Sequence, residues 1–170
     1  SEQHGGGVFA KGDSILNLGS NALIDHCLAG KRSKSSYDVV NSSGIVVTVS
    51  GKTDAVEGSY FYEGHGGGIY TQGVINMTGG VITNCKAPHT DGSGGGVYLD
   101  ISWYPKLPAT MRMDGGVIKD CVAGKGGGVF VHRSIFLMNG GKINNCRSLS
   151  NGGGVAVVYG KMVMRASNLN

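Results

Sequence analysis

Gly126-Gly127-Gly128-Val129-Phe130-Val131, then Ile135-Phe136-Leu137-Met138, then Ile143-Asn144-Asn145-Cys146: three short apolar segments separated by turn residues follow one another in a single stretch of chain. Each segment is too brief for a helix and rich in β-branched or aromatic residues, which reads as a strand. The glycine triplet recurs with a β-branched residue behind it as Gly5-Gly6-Gly7-Val8, Gly66-Gly67-Gly68-Ile69, Gly94-Gly95-Gly96-Val97 and Gly152-Gly153-Gly154-Val155. Triplets that start at residues 5, 66, 94, 126 and 152 give intervals of 61, 28, 32 and 26. The second segment recurs as Ile15-Leu16-Asn17-Leu18, Val74-Ile75-Asn76-Met77, Thr110-Met111-Arg112-Met113 and Lys161-Met162-Val163-Met164. The third recurs as Ile24-Asp25-His26-Cys27, Ile82-Thr83-Asn84-Cys85 and Ile118-Lys119-Asp120-Cys121, so every cysteine occupies one repeat position.

A period near 30 residues with three strands and no 3.6-residue pattern is what one turn of a three-sided β-solenoid needs. The expected fold is all-β, a right-handed parallel β-helix of about six coils forming a single domain over residues 1–170. The first interval is about twice the others, which places a degenerate or inserted coil at residues 30–64, with Gly44-Ile45-Val46-Val47 where the triplet should stand.

Parallel strands of successive coils lie about 4.8 Å apart, so equivalent side chains stack into columns. Alternation along the second strand assigns two columns to the core, one running from Leu16 through Ile75, Met111 and Phe136 to Met162. The other runs from Leu18 through Met77, Met113 and Met138 to Met164. All six methionines fall in these columns, as gap-filling core residues rather than a copper-binding box. Cys27, Cys85, Cys121 and Cys146 form a third column, read as stacked core thiols. A line of single cysteines cannot close the tetrahedral cage of a structural metal, and side chains in register point the same way, which disfavours a disulfide.

Composition excludes several classes. Glycine accounts for 32 of 170 residues, but without a three-residue period and with only three prolines, so collagen and Pro-rich disorder are set aside. The net charge of +4 comes with no arginine stripe, and the densest basic cluster, Lys31, Arg32 and Lys34, reads as a solvated loop, so no nucleic-acid partner is expected. No apolar run approaches the roughly 18 residues of a membrane span, and no membrane insertion is expected. The glycine motifs lack the Gly-Lys-Ser/Thr of a phosphate-binding loop.

The paired Gly-Gly-Gly-Val and Ile-x-x-Cys motifs resemble the Gly-Gly-Ala-Ile and Phe-x-x-Asn repeats of chlamydial polymorphic outer membrane proteins. They are more closely similar to the Gly-Gly-Gly-Val-Tyr-Val repeats of bacterial surface proteins with pectate-lyase-like β-helices. The resemblance implies an exported β-helix of adhesive or passenger type, extracellular or at the cell surface.

An enzyme of this fold needs paired carboxylates or a carboxylate cluster for calcium. The residues preceding the cysteines form a column of His26, Asn84, Asp120 and Asn145, and no column repeats an acid in neighbouring coils, although Asp114 and Asp120 could meet across a face. No catalytic residue, metal or cofactor is assigned. His4 and His65 both precede a triplet and read as surface turn residues, roughly 9–10 Å apart if one coil separates them. The candidate ligand site is the aromatic column Phe9, Tyr70, Tyr98 and Phe130, expected to form an exposed ladder for sugar rings or a partner. Trp103 and Tyr104, in an interval flanked by Pro105 and Pro108, would join it from a protruding loop. The chain starts and stops beside repeat motifs with no capping helix, so its expected partners are a second copy stacked end to end or the rest of a longer β-helix. Glycans or a cell surface would be further partners, with carbohydrate binding or processing as the alternative function.

Overall fold

A computed structural model of the protein describes residues 5–29, 64–103 and 106–165, with only the backbone of Trp103. Among these residues the chain is all-β, and its strands stack in register as a parallel β-helix. The first face holds Val8–Ala10, Ile69–Thr71, Val97–Leu99, Val129–His132 and Val155–Val158, hydrogen-bonded in that order. The second holds Ile15–Leu18, Val74–Met77, Thr110–Met113, Ile135–Met138 and Lys161–Met164. The third holds Leu23–Asp25, Val81–Thr83, Val117–Lys119 and Lys142–Asn144. The three-segment repeat anticipates these faces. It does not anticipate a fourth, short ladder of Lys86–Ala87, Val122–Ala123 and Arg147–Ser148, which carries the chain from each cysteine towards the next triplet.

Of residues 30–64, where the degenerate coil was expected, 30–63 lie outside the described residues. The pairing on either side is nonetheless direct: Val8 faces Ile69, Leu16 faces Ile75 and Ile24 faces Ile82. No rung separates the coil before the long interval from the coil after it. The described stack therefore has five rungs, the last one partial, rather than about six.

The columns assigned to the core are buried in the middle of the stack: Ile75, Met111, Phe136 and Met113 are fully covered, and Met77 and Leu18 nearly so. Ile69, Val97 and Val129 enter from the first face, and Ile82 and Ile118 from the third. Burying such a side chain contributes about 1.5–3 kcal/mol, so each rung carries its own share of the core and each needs a neighbour to cover it.

Two backbone devices turn the corners. The first glycine of every triplet has positive φ, between 59° and 69°, in the left-handed region that glycine adopts without strain. The residue before each cysteine, His26, Asn84, Asp120 or Asn145, also has φ near +50°. Asn and Asp are enriched there, because a short polar side chain tolerates left-handed backbone. The column weighed as catalytic is thus a column of turn residues.

The third glycine of each triplet explains why the triplet and Ile-x-x-Cys travel together. A Cβ at Gly96 would lie 2.8 Å from Ile118 Cγ2 and 3.4 Å from Cys121 Sγ; at Gly128 it would lie 2.9 Å from Ile143 Cγ2 and 3.2 Å from Cys146 Sγ. Gly68 stands in the same relation to Ile82 and Cys85, and Gly7 to Ile24 and Cys27. The two motifs pack against each other across the thin interior of one rung.

Candidate functional site: the aromatic ladder and its polar rim

The aromatic column forms as a stack. Phe9 and Tyr70 rings are 5.2 Å apart, Tyr70 and Tyr98 5.2 Å, and Tyr98 and Phe130 5.3 Å, all within 10° of parallel. Each ring sits one residue after a core Val or Ile on the first face and so points to the opposite side of that sheet. In-register parallel pairing then spaces the rings at close to the strand repeat.

The ladder is not the exposed platform expected from the sequence. Tyr70, Tyr98 and Phe130 are 5–7% accessible, and only Phe9 is open, at 52%. The reason lies in the stacking: each inner ring gives both faces to its neighbours, and Ala156 packs beside Phe130 at the far end. A sugar ring needs a free aromatic face, and the inner rings have none to offer. Tyr70, Tyr98 and Phe130 thus form a covered stack rather than an exposed ladder.

His65 is also placed differently from expectation. It is half-buried, its imidazole lies 4.8 Å from the Tyr98 ring at 21°, and its backbone bridges to Ser93. It belongs to the packing of the ladder, not to a surface turn. His4 and Tyr104 lie outside the described residues. Trp103 ends a strand, Ile101–Trp103, that pairs antiparallel with Lys106–Pro108, whose three residues are exposed.

A polar rim two residues beyond the rings was missed in the sequence. Gln72, Asp100 and His132 follow Tyr70, Tyr98 and Phe130 by two residues in three successive rungs, and the same alternation puts them on the same outer side. The Tyr70 hydroxyl donates to Asp100 Oδ2 at 2.6 Å, and Gln72 Nε2 donates to that hydroxyl at 3.4 Å. The Ile101 N–H donates to Asp100 Oδ1 at 2.8 Å, and His132 Nδ1 lies 2.9 Å from the same oxygen. Burial first, and then the Asp100 carboxylate as bond partner and as charge, push the Tyr70 phenol well above its ordinary value. Burial and the same carboxylate act in the same direction on Tyr98. Asp100 directly precedes the Ile101–Trp103 strand, so the cluster ties that strand to the ladder. The signal available in the sequence was the continued alternation past each ring.

The remaining carboxylates occupy separate places. Asp114 accepts from Asn139 and Arg112, each at 2.7 Å, and these bonds, Asn139 first, hold its carboxyl below the usual range. Asp120 accepts from Asn145 and lies 3.6 Å from Lys119 Nζ. Asp25 accepts from Asn84 at 3.0 Å and pairs with His26 at 2.7 Å. These three acids are each engaged by neighbouring side chains, and no group of three or more metal-ligating side chains converges among the described residues.

None of the four cysteines is in a disulfide; Cys27, Cys85 and Cys121 are buried and Cys146 is half-buried. They share one conformation: each Sγ–H donates to the carbonyl two residues back, at 3.1–3.3 Å. Thiol contacts with Cys121 and Cys27, and then burial, push the Cys85 pKa far up; contact with Cys121, and then burial, does the same to Cys146. Side-chain contacts with Cys146 and then Cys85 hold the Cys121 thiol below its ordinary value, and contact with Cys85 does the same for Cys27. Comparison with protein-family models, with curated proteins and with solved structures found no match to this chain.

Proposed function

We propose that this chain is a non-enzymatic structural module, extracellular or displayed on a cell surface, that lengthens end to end by stacking one parallel β-helix on another copy of itself. One observation carries the reading: the glycine-triplet ladder is polar along the stack. In every interior rung the triplet N–H groups donate to the carbonyls of the following rung, as Gly66 N–H does to Ser93 O at 2.9 Å and Val97 N–H to Gly128 O at 2.9 Å. The last described rung accordingly turns the N–H groups of Gly152, Gly153, Gly154 and Val155 outward, and the first turns outward the carbonyls of Gly5 and Gly7. Within this ladder, donors at one end and acceptors at the other are self-complementary in a head-to-tail contact. The side-chain columns continue across it, with Val155 meeting Val8, Met162 meeting Leu16 and Met164 meeting Leu18.

Apolar exposure is concentrated at these two ends. Val157, Val158 and Met164 are 37–67% accessible in the last rung, and Phe9 and Ile15 52–65% in the first, more exposed than their interior equivalents. The carboxylates engaged by turn partners, and the aromatic faces taken up by stacking, favour a structural role over carbohydrate processing. The extracellular or surface setting rests on the resemblance of the repeats.

Gly154→Ala tests this reading. A Cβ there meets only Ile143 Cγ2 at 3.7 Å, ordinary contact within one chain. Against a stacked copy it would meet the Gly7 carbonyl as a Cβ at Gly128 meets the Gly154 carbonyl, at 2.6 Å. Light scattering over a concentration series is expected to give a rising mass for the wild type and a constant monomer mass for Gly154→Ala. A wild type that stays monomeric throughout, or a variant that assembles equally well, would overturn the proposal.

A further inference from the structure

The sequence holds two Asn-Gly steps, Asn139-Gly140 and Asn151-Gly152, and the fold treats them differently. An asparagine before glycine is open to ring closure, because the glycine nitrogen reaches the side-chain Cγ with no Cβ in the way. Asn139 is pinned against that motion. Its Nδ2 donates to Asp114 Oδ1 at 2.7 Å, and its own N–H and that of Gly140 donate to Met113 O at 2.8 and 3.1 Å. Asn151 and Gly152 are both exposed, and neither the Asn151 side chain nor the Gly152 N–H makes a hydrogen bond among the described residues. In the other rungs the same nitrogen is engaged: Gly66 N–H donates to Ser93 O, Gly94 N–H to Lys125 O and Gly126 N–H to Asn151 O, each at 2.9 Å.

We propose that Asn151 is a modification site, where spontaneous deamidation to isoaspartate closes the donating end of the stack, and that a stacked copy protects it by engaging the Gly152 N–H. The protection rests on the head-to-tail reading above; the modification does not. In the first step the Gly152 nitrogen attacks Asn151 Cγ. The new N–Cγ bond closes a succinimide, the Cγ–Nδ2 bond breaks, and Nδ2 leaves as ammonia with the proton of the Gly152 amide. Water then opens the ring at either carbonyl. Opening at the α-carbonyl leaves the chain running through Cγ, as isoaspartate with a free α-carboxylate; opening at Cγ gives aspartate. In both cases an amide and a water become a carboxylate and an ammonium ion, and nothing is oxidised or reduced.

The product alters the donating edge in two ways. Isoaspartate adds a methylene to the backbone immediately before Gly152, whose φ of +64° starts the triplet turn, so the glycines that follow leave the register of the ladder. It also turns the Asn151 carbonyl that holds the Gly126 N–H into a carboxylate. That anion stands beside the outward N–H groups of Gly152, Gly153 and Gly154, and successive backbone N–H groups of this kind satisfy an anion. An incoming first rung then meets donors that are displaced and occupied.

The test is timed incubation of the full chain at mildly alkaline pH, read by peptide mass mapping and by labelling with an isoaspartyl methyltransferase. At a dilution where light scattering reports a monomer, Asn151 is expected to convert about ten- to a hundredfold faster than Asn139, the factor supplied by one charge-assisted hydrogen bond. At concentrations where the mass rises, conversion at Asn151 should slow in the wild type and stay unchanged in Gly154→Ala. The aged wild type should lose its concentration-dependent mass, whereas aged Asn151→Ser should keep it. Equal rates at Asn139 and Asn151, or no conversion at Asn151, would overturn the modification site. An aged chain that assembles like a fresh one would overturn the closing of the end, and equal rates in assembled and dilute wild type would overturn the protection. A wild type that is monomeric throughout overturns the head-to-tail reading and the protection with it, while the comparison of Asn151 with Asn139 still decides the site.

Discussion

Gly96→Ala and Gly154→Ala put the same atom at the same repeat position and should shift stability in opposite directions. At Gly96 the added Cβ falls 2.7 Å from the Gly128 carbonyl oxygen and 2.8 Å from Ile118 Cγ2. The first neighbour is backbone held in the inter-rung ladder by Gly96 and Val97 N–H groups at 3.0 and 2.9 Å, so it cannot swing aside as a side-chain tip would. Overpacking of this kind costs about 1–3 kcal/mol. Replacing glycine also narrows the unfolded ensemble, which offsets about 0.4–1 kcal/mol. The net expectation for Gly96→Ala is a loss of about 1–2 kcal/mol, or roughly 2–8 °C in Tm for a chain of this size. At Gly154 only the offset survives, because the nearest atom is Ile143 Cγ2 at 3.7 Å, and the variant should gain up to about 1 kcal/mol. Urea denaturation followed by circular dichroism, at concentrations where light scattering reports a monomer, measures both. Equal destabilisation by the two variants would refute the inter-rung account of the third glycine; a neutral Gly96→Ala would refute the thinness of the rung interior.

Other outcomes follow from the core and the ladder. Phe136→Ala empties the largest fully buried side chain among the described residues and should cost about 3–5 kcal/mol in the same denaturation assay. Tyr70 and Tyr98 keep their protons to higher pH when folded than when unfolded, so the folded state binds more protons above pH 10 and stability must fall as pH rises through that range. The slope should reach about 1.4 kcal/mol per pH unit for each tyrosine, measured by denaturation at a series of alkaline pH values. Tyr70→Phe takes one donor from a buried carboxylate and should cost about 1.5–3 kcal/mol, with greater proteolysis at the Ile101–Trp103 strand as its local signature. Among the thiols, Cys146 should react first with a disulfide reagent, while Cys85 and Cys121 wait for unfolding, as timed labelling and mass spectrometry would show.

The fold was legible because a parallel solenoid writes its geometry into the sequence at fixed offsets. In-register stacking makes equivalent residues neighbours, so Met77, Met113 and Met138 could be aligned by eye and found aligned in space. The aromatic column was legible for the same reason, yet its exposure was not. Alternation says which side of a strand a ring takes; it does not say that rings 5.2 Å apart cover one another. The Asp100 cluster was obscured because it gathers one residue type from each of three rungs, Gln72, Asp100 and His132, and a search for repeated acids passes over a column that never repeats. The long interval before Gly66 misled for a related reason. Spacing counts residues between rungs, whereas the Val8–Ile69 pairing depends only on which strands meet.

The glycine triplets link the internal packing to the proposed assembly. One glycine admits left-handed backbone, and another leaves room for isoleucine and cysteine within the rung and for a carbonyl of the following rung. The hydrogen bonds made there run in a single direction along the stack. A stack in which each rung contacts only its neighbours gains stability one interface at a time. Its terminal rungs are therefore its weakest, and the exposure of Val157, Val158 and Met164 beside the buried Val131 and Met113 marks that difference. Direction matters as much as exposure: the triplet N–H groups donate to the following rung, whereas elsewhere the later rung donates back, as Val74 N–H does to Ser14 O and Val81 N–H to Ala22 O, so a head-to-tail contact continues both sets in register. Such a contact is heterologous and extends the stack as an open line.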